Sequence, residues 1–227
     1  KALPIGQARD VVGMAVSGPD RNTIVIAGRT GITRSIDGGK NWRCFLDNLP
    51  VAQFFNVNYD MKVPFRVYGS VQDHGSMYGM VDLSQGRDKI PTVEFKWAPG
   101  GEGSSHAVNP DNTDLVFSAG FYGSIQRTDM GGDGDWDKNT KSLLPKTYPD
   151  EPKLRGQWIA PFILSPHNPD IVYHGMQYVM MSRDRGDTWE YISRDLTHND
   201  ERKMGDIPFH TLTSISESPH KFGLLYA

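Results

Sequence analysis

Cysteine is almost absent: Cys44 stands alone in 227 residues, which excludes an internal disulfide framework. Its neighbours read as a short strand, so it is expected to be a half-buried packing residue and not a nucleophile. Long apolar runs are missing too. None approaches the roughly 18 residues that a membrane-crossing helix requires, so no membrane span is expected. Neither sign of charge dominates, with 24 basic against 27 acidic residues and a formal net charge of −3. The charges are interspersed and form no basic stripe able to neutralise phosphates, which argues against nucleic acid as a partner. Helical periodicity is not sustained anywhere. The histidines occur singly, without the spacings that hold zinc. The chain opens on Lys1 and closes on "LLYA" inside an apolar run, so both ends read as cut.

What the sequence has instead is turn-forming residues, 24 Gly and 15 Pro, spread between short apolar segments that alternate or run apolar for a few residues. That is the signature of β-strands separated by tight turns. Five stretches share one plan, an apolar strand, a polar turn around Pro or Asn, and a second strand closing on a small residue. They are "MAVSGPDRNTIVIAG", "FNVNYDMKVPFRVYG", "HAVNPDNTDLVFSAG", "FILSPHNPDIVYHG" and "SISESPHKFGLLYA". The first four close on Gly28, Gly69, Gly120 and Gly175. A repeat of about 40 to 55 residues built from four short strands is the spacing of a β-propeller blade. The predicted fold is therefore all-β, a propeller domain over 1–227 with four-stranded antiparallel blades near 11–50, 51–100, 101–155 and 156–207. A fifth begins near 208. Four blades and a fragment would leave open sheet edges, so the remaining blades of a seven- or eight-bladed ring, or another chain, are expected as partners.

Two octets recur at the same place in this frame, "SIDGGKNW" and "SRDRGDTW", each Ser-x-Asp-x-Gly-x-(Asn/Thr)-Trp. Both fall between the third and fourth strands of a blade. Ser35 and Asp37 suit a turn in which short polar side chains hydrogen-bond nearby backbone N–H groups. Gly39 suits a positive φ, and Trp42 returns the chain to the core. Ser182, Asp184, Gly186 and Trp189 take the same roles. The third blade carries the looser "RTDMGGDGDW", with Arg127 at the Ser position and Trp136 two residues late. The second has no octet, and Trp97 is the expected packing anchor there.

The octet resembles the Asp-box, or bacterial neuraminidase repeat, of sialidases, sortilin-type receptors, xyloglucan-processing glycoside hydrolases and a photosystem assembly factor. "GSVQDHGS", "GGEGSSHAVNPDNTDLVFSAGFYGSIQRTD" and "DRGDTWEYISRDLT" further resemble a group of large bacterial sortilin-like or glycosyl-hydrolase-like propellers. The resemblance implies a secreted or periplasmic propeller whose octet aspartates are structural and lie away from the central channel.

Chemistry is sought in the Gly-rich loops, where ligand sites on rigid scaffolds concentrate. "VQDHGS" offers Gln72, Asp73 and His74 between two strands, and "WAPGGEGSSHAV" offers Glu102 and His106. These five are the ligand-binding candidates. Asp73 and Glu102 fall in neighbouring blades and are the catalytic candidates, because glycoside hydrolysis needs two carboxyls flanking one bond. Asp133, Asp135 and Asp137 have the opening spacing of a calcium loop, but Lys138 stands where its glycine belongs and Leu144 where its final glutamate belongs. No cofactor is otherwise called for, Ca²⁺ being the one weak candidate. "PFRVYG" places Arg66 in a faint likeness to a sialidase arginine stretch, without the following proline, and sialidase activity is rejected. The leading reading is an extracytoplasmic binding or scaffold module for a protein, peptide or glycan. The alternative is a glycoside hydrolase using a carboxylate pair at the propeller mouth.

Overall fold

A computed structural model describes residues 11–17, 21–28, 31–44, 53–131, 135–147, 150–204 and 209–227, without the side chains of Cys44 and Asp137. Two compact units divide the chain, Lys1–Ala52 and Gln53–Ala227. Among the described residues the first holds one sheet of four strands, β1 (Val11–Ser17), β2 (Thr23–Gly28), β3 (Gly31–Ser35) and β4 (Arg43–Cys44), in the order β1-β2-β3-β4.

The second unit repeats this meander. Its first sheet is β5 (Phe54–Tyr59), β6 (Phe65–Val71), β7 (Gly75–Val81) and β8 (Phe95–Trp97). Its second is β9 (His106–Val108), β10 (Leu115–Ala119), β11 (Ile125–Asp129) and β12 (Thr140–Ser142), with a single helical turn, Trp136–Asn139, before β12. The third is β13 (Phe162–Leu164), β14 (Val172–Gly175), β15 (Val179–Ser182) and β16 (Glu190–Tyr191). A hairpin of β17 (Ser216–Glu217) and β18 (Leu225–Tyr226) follows. Every sheet neighbour pair is antiparallel. The protein is all-β, built of four-stranded propeller blades.

A shared turn explains why the repeat recurs. In each sheet of the second unit, a short polar residue directly follows the first strand: Asp60, Asn109, Ser165 and Ser218. Its side chain accepts the backbone N–H two residues on, from Lys62, Asp111, His167 and His220. Its own N–H donates across the hairpin to the carbonyl of Arg66, Leu115, Ile171 or Leu224, at the start of the second strand or just before it. This is the Asx or Ser turn expected of such residues, and it sets the register of each sheet. The equivalent second-strand positions are therefore Tyr68, Phe117, Tyr173 and Tyr226. The glycines that close the sequence repeat are not equivalent, since Gly69 lies inside β6, which runs on to Val71.

Register then decides the core, because alternate residues of a strand face opposite sides. On β10, Leu115, Phe117 and Ala119 pack with Ile125 and Leu143 against Phe162 and Val172 of the following sheet. Val116, on the opposite face, packs against Tyr68 and Ala98 of the preceding sheet. Ile171 and Tyr173 continue the stack toward Leu212, Ile215 and Leu225. Both faces of β10 and of β14 are thus buried, which is why they read as near-continuous apolar runs. Burying Phe117 completely stabilises this interface by about 2–3 kcal/mol. Trp97 does not anchor the first sheet of this unit: it sits on β8 and is 62% exposed. Tyr68, fully buried on β6, holds that position. No helix among the described residues is long and apolar enough to cross a membrane.

Candidate functional site

In a meander the turn between the second and third strands emerges at the same end as the link to the next sheet's first strand. The first–second and third–fourth turns emerge at the other. The octets belong to the latter end, beside the first–second turns. Gly38 N donates to Asn22 O and Arg185 N to Asp170 O, and Met130 N reaches Asp114 O at the corresponding place.

The two octets share one hydrogen-bond scheme. The Ser35 hydroxyl donates to Asp37 Oδ1 at 2.8 Å and accepts from Gly39 N at 2.9 Å. The Ser182 hydroxyl donates to Asp184 Oδ1 and accepts from Gly186 N, each at 2.7 Å. The carboxylates receive Lys40 N and Asn41 N in one case, and Thr188 N and its hydroxyl in the other. Donors from Asn41 and Ser35 hold the Asp37 carboxyl down at about 2. Partial burial opposes ionisation at Asp184, but the Thr188 and Ser182 hydroxyls outweigh it and bring that carboxyl to about 2 as well. Trp42 Nε1 donates to Gly39 O at 3.0 Å, whereas Trp189 Nε1 reaches Leu143 O of the preceding sheet at 2.8 Å. The Asp37 and Asp184 carboxylate oxygens are directed at their own turns' donors, which close the hairpins, whereas Asp187 of the second octet pairs with Arg127 and Lys141 of the preceding sheet, each at 3.0 Å.

The opposite end of the second unit gathers the polar candidates. The loop after β8 turns back along the β6–β7 hairpin. Ala98 N donates to Ser76 O at 2.9 Å, Ser76 Oγ to Gly101 O at 2.8 Å, and Gly101 N to Ser104 Oγ at 2.8 Å. Asn56 on β5 fixes the same loop through Ser104 O at 3.1 Å. The hairpin tip and the loop meet where Gln72 Nε2 donates to Glu102 Oε1 at 3.0 Å. Beside it, His74 Nδ1–H donates to Gln72 O at 2.7 Å. Asp73 occupies the tip with φ +58°, a conformation that Asp tolerates better than most residues. The structure thus brings Gln72, Asp73, His74 and Glu102 to one place.

His106 is not with them. It is 4% exposed, and its Nε2–H donates to Pro99 O at 2.9 Å. Its ring lies 5.9 Å from that of Tyr68, inside the interface between two sheets. Burial pulls its pKa below the usual histidine value despite the opposing Pro99 carbonyl, so a neutral packing histidine results. Asp135 is ion-paired with Lys138 at 2.5 Å, while Asp133 and the side chain of Asp137 lie outside the described residues. No cluster of three His, Cys, Asp or Glu side chains able to hold a metal occurs among the described residues. Arg66 is committed internally, to Asp60 at 2.5 Å, to the Thr113 carbonyl and to Asp114 at 3.2 Å.

Residues that sequence reasoning passed over complete the picture. Phe121 and Tyr122 form the tip of the β10–β11 hairpin, and Trp158 lies on the link to β13. The Phe121 and Trp158 rings stack 5.1 Å apart at 13°, Phe55 meets Trp158 edge-on at 5.7 Å, and Tyr122 stands 6.3 Å from Phe121. Backbone contacts from Tyr122 N to Trp158 O and a bridge between Phe121 and Ile159 hold the tip to the link. Gly103, adjacent to Glu102, has φ +70°, and a Cβ there would come within 2.9 Å of the Phe121 ring. Only glycine therefore lets the Glu102 loop lie against the aromatic group. Phe55, Phe121 and Tyr122 remain 38%, 37% and 48% exposed. Tyr122 also takes φ +57°, ahead of Gly123 at +89°, a pairing in which Asn or Gly is the easy choice for the first position. The visible signal was "GFYGS", two aromatics where a hairpin tip ordinarily carries small polar residues.

No protein-family model matches this sequence, and no curated protein matches it. Solved structures do. YCF48 bound to a D1 peptide is 16% identical with a TM-score of 0.40, the match covering 78% of this chain and 51% of that one. An ancestral GH74 enzyme is 16% identical with a TM-score of 0.44, over 85% of this chain and 25% of the other. The GH74 xyloglucanase from Xanthomonas campestris is 13% identical with a TM-score of 0.42, over 77% and 28%. The chain thus spans about half the length of the first and about a quarter of the second and third. Likeness at these levels assigns this chain neither ligand nor reaction.

Proposed function

We propose that the chain is an extracytoplasmic propeller segment of the Asp-box type that binds a ligand at the end carrying Gln72, Glu102, Phe121, Tyr122 and Trp158. One observation carries the reading: Tyr122 is an aromatic side chain held half-exposed on a left-handed backbone. A bulky residue at positive φ is an outlier, and such strain clusters at ligand-contacting sites. Here the strain does not serve burial, since the ring stays in solvent beside two further exposed aromatics. Aromatic rings held rigidly next to hydrogen-bonding groups give much contact area at little entropic cost. A protein, peptide or glycan ligand suits such a surface.

The test is Tyr122→Asn. Asparagine accepts the left-handed region, so thermal stability is expected to hold or rise while ligand contact falls. Neutral oligosaccharides and basic, neutral and acidic peptides are titrated while the Trp158 indole signal is followed by NMR. At least one probe is expected to move it in the native chain and not in the variant. Probes that perturb only residues remote from Trp158 would refute this location. Turnover of a glycoside, abolished in Asp73→Asn or Glu102→Gln, would replace the binding reading with a glycoside hydrolase using that carboxylate pair.

A further inference from the structure

Three buried polar atoms at the interface between the β5–β8 and β9–β12 sheets have no hydrogen-bond partner among the described residues: Ser70 Oγ, His106 Nδ1 and Ser118 Oγ. Each belongs to a side chain almost wholly removed from solvent, where an unsatisfied polar atom is costly and calls for an explanation. The register places them together. Ser118 and His106 are cross-strand partners on β10 and β9. Ser118 shares the β10 face of Val116, which packs against Tyr68. Ser70 lies two residues beyond Tyr68 on β6, hence on the same face, and the His106 ring lies 5.9 Å from that of Tyr68. All three side chains enter the space between the same two sheets, at the end that carries Gln72 and Glu102.

The next interface shows what fills the equivalent positions. His106 corresponds to Phe162 and Ser118 to His174, each pair being cross-strand partners in its own sheet. Ser70, two residues beyond Tyr68, corresponds to Ala119, two beyond Phe117. In that interface the His174 imidazole is fully buried, and its Nε2–H crosses to Gly123 O of the preceding sheet at 2.9 Å. Its neighbours Phe162 and Ala119 bring no polar side-chain atom. Serine at 118 is too short for such a crossing, and the imidazole at 106 is smaller than a phenyl ring. At the same three positions the first interface therefore has less side-chain volume and more polar atoms than the second.

We infer that this interface is a binding site for an ordered water molecule, held jointly by Ser70, His106 and Ser118. The donor set fits water. His106 Nε2–H is committed to Pro99 O, so Nδ1 carries a lone pair and only accepts. Burial, which pulls the ring's pKa down, keeps it in that neutral form. A serine hydroxyl both donates and accepts. Water donates one O–H to His106 Nδ1 and the other to one serine, and it accepts from the second serine. Three bonds to otherwise unsatisfied groups are usual for a buried water. A hard cation would take oxygen ligands that include carboxylates, and none of the three side chains carries negative charge. An apolar occupant would leave all three atoms unsatisfied. Through His106 and its bond to Pro99 O, the water steadies the loop that bears Glu102, which Ser76 Oγ also holds through Gly101 O. The site is independent of the ligand proposed above.

The experiment combines a crystal structure of the full 227-residue chain, at a resolution that shows ordered water, with thermal melts of Ser70→Ala, Ser118→Ala and the double variant. One water is expected within about 3.2 Å of all three atoms. Each single variant is expected to melt about 2–4 °C lower than the parent chain, having lost a hydrogen bond to that water. The double variant should fall by clearly less than the sum of the two, because both hydroxyls act through one bridging molecule. Hydroxyls without any partner would give the opposite sign, since deleting an unsatisfied buried group relieves its desolvation cost. A rise in melting temperature in either single variant therefore overturns the inference. So does a pair of losses that simply add, which would show two separate contacts. Crystals in which the three atoms pair with one another, or in which water reaches fewer than two of them, overturn it without any variant.

Discussion

Ser182→Ala is the sharpest test of how the octets hold their hairpins. Ser182 is buried, and its hydroxyl both accepts from Gly186 N and donates to Asp184 Oδ1, each at 2.7 Å. Alanine removes both contacts and supplies no substitute. Gly186 is itself buried, packed so closely that a Cβ would fall 2.6 Å from Leu143, so its N–H cannot turn to water. An unpaired buried donor costs about 1–3 kcal/mol, and loss of the hydroxyl from the carboxylate adds to it, for a total of about 2–3 kcal/mol. In a chain of this size that lowers the melting temperature by about 5–10 °C. Ser35→Ala makes the same deletion in the other octet, but Gly39 is only half-buried and its N–H can recover a water. Its cost is therefore expected to be smaller, about 1 kcal/mol. Urea unfolding of the two variants beside the parent chain measures the difference. A Ser182→Ala cost within about 0.5 kcal/mol of zero, the range of ordinary surface substitutions, would refute the reasoning, and so would a larger cost for Ser35→Ala.

Two further outcomes follow from the same geometry. The Asp37 and Asp184 carboxyls lie at about 2 in the folded chain, against an ordinary value of 3.8. The stability they contribute is therefore fully present above about pH 4 and is lost as pH falls toward about 2. Asp184→Asn should flatten the acid-unfolding curve in that window, and an unchanged slope would count against the turn donors as the cause. Gly156→Ala places a Cβ on the carbonyl of Tyr122 and the amide of Gly123, backbone atoms that cannot give way. It should separate the Phe121–Tyr122 tip from the Trp158 link, lowering stability and removing ligand-induced shifts at Trp158. A stable variant with unaltered shifts would show that the tip and the link are independent.

Much of the fold is legible along the chain because it is written in local rules. Strand alternation, polar turn residues and the recurring octet each act over fewer than ten residues, and together they fix four-stranded meanders and the hairpin joining the last two strands. Even so, the glycines that close the sequence repeat misplace the register. The side chain that accepts in each turn, Asp60, Asn109, Ser165 or Ser218, sets it instead. Trp97 failed as an anchor for a related reason. Aromatic character says that a residue can pack, while the face it occupies in its strand says whether it does.

The candidate site divides along the same line. Gln72, Asp73, His74 and Glu102 stand out in the sequence by composition alone, as polar residues in glycine-rich loops. His106 carried the same mark, yet the stacking of one sheet on the next buries it against Tyr68. The grouping of Phe55, Phe121, Tyr122 and Trp158 left no trace in any short window, because it joins residues about a hundred positions apart. Strands, turns and octet hairpins follow from the order of residues alone, since hydrogen bonds between near neighbours need no distant partner. Which loops meet and which side chains reach solvent depends on the folded arrangement, since face-to-face packing of successive sheets joins parts of the chain that no local pattern connects.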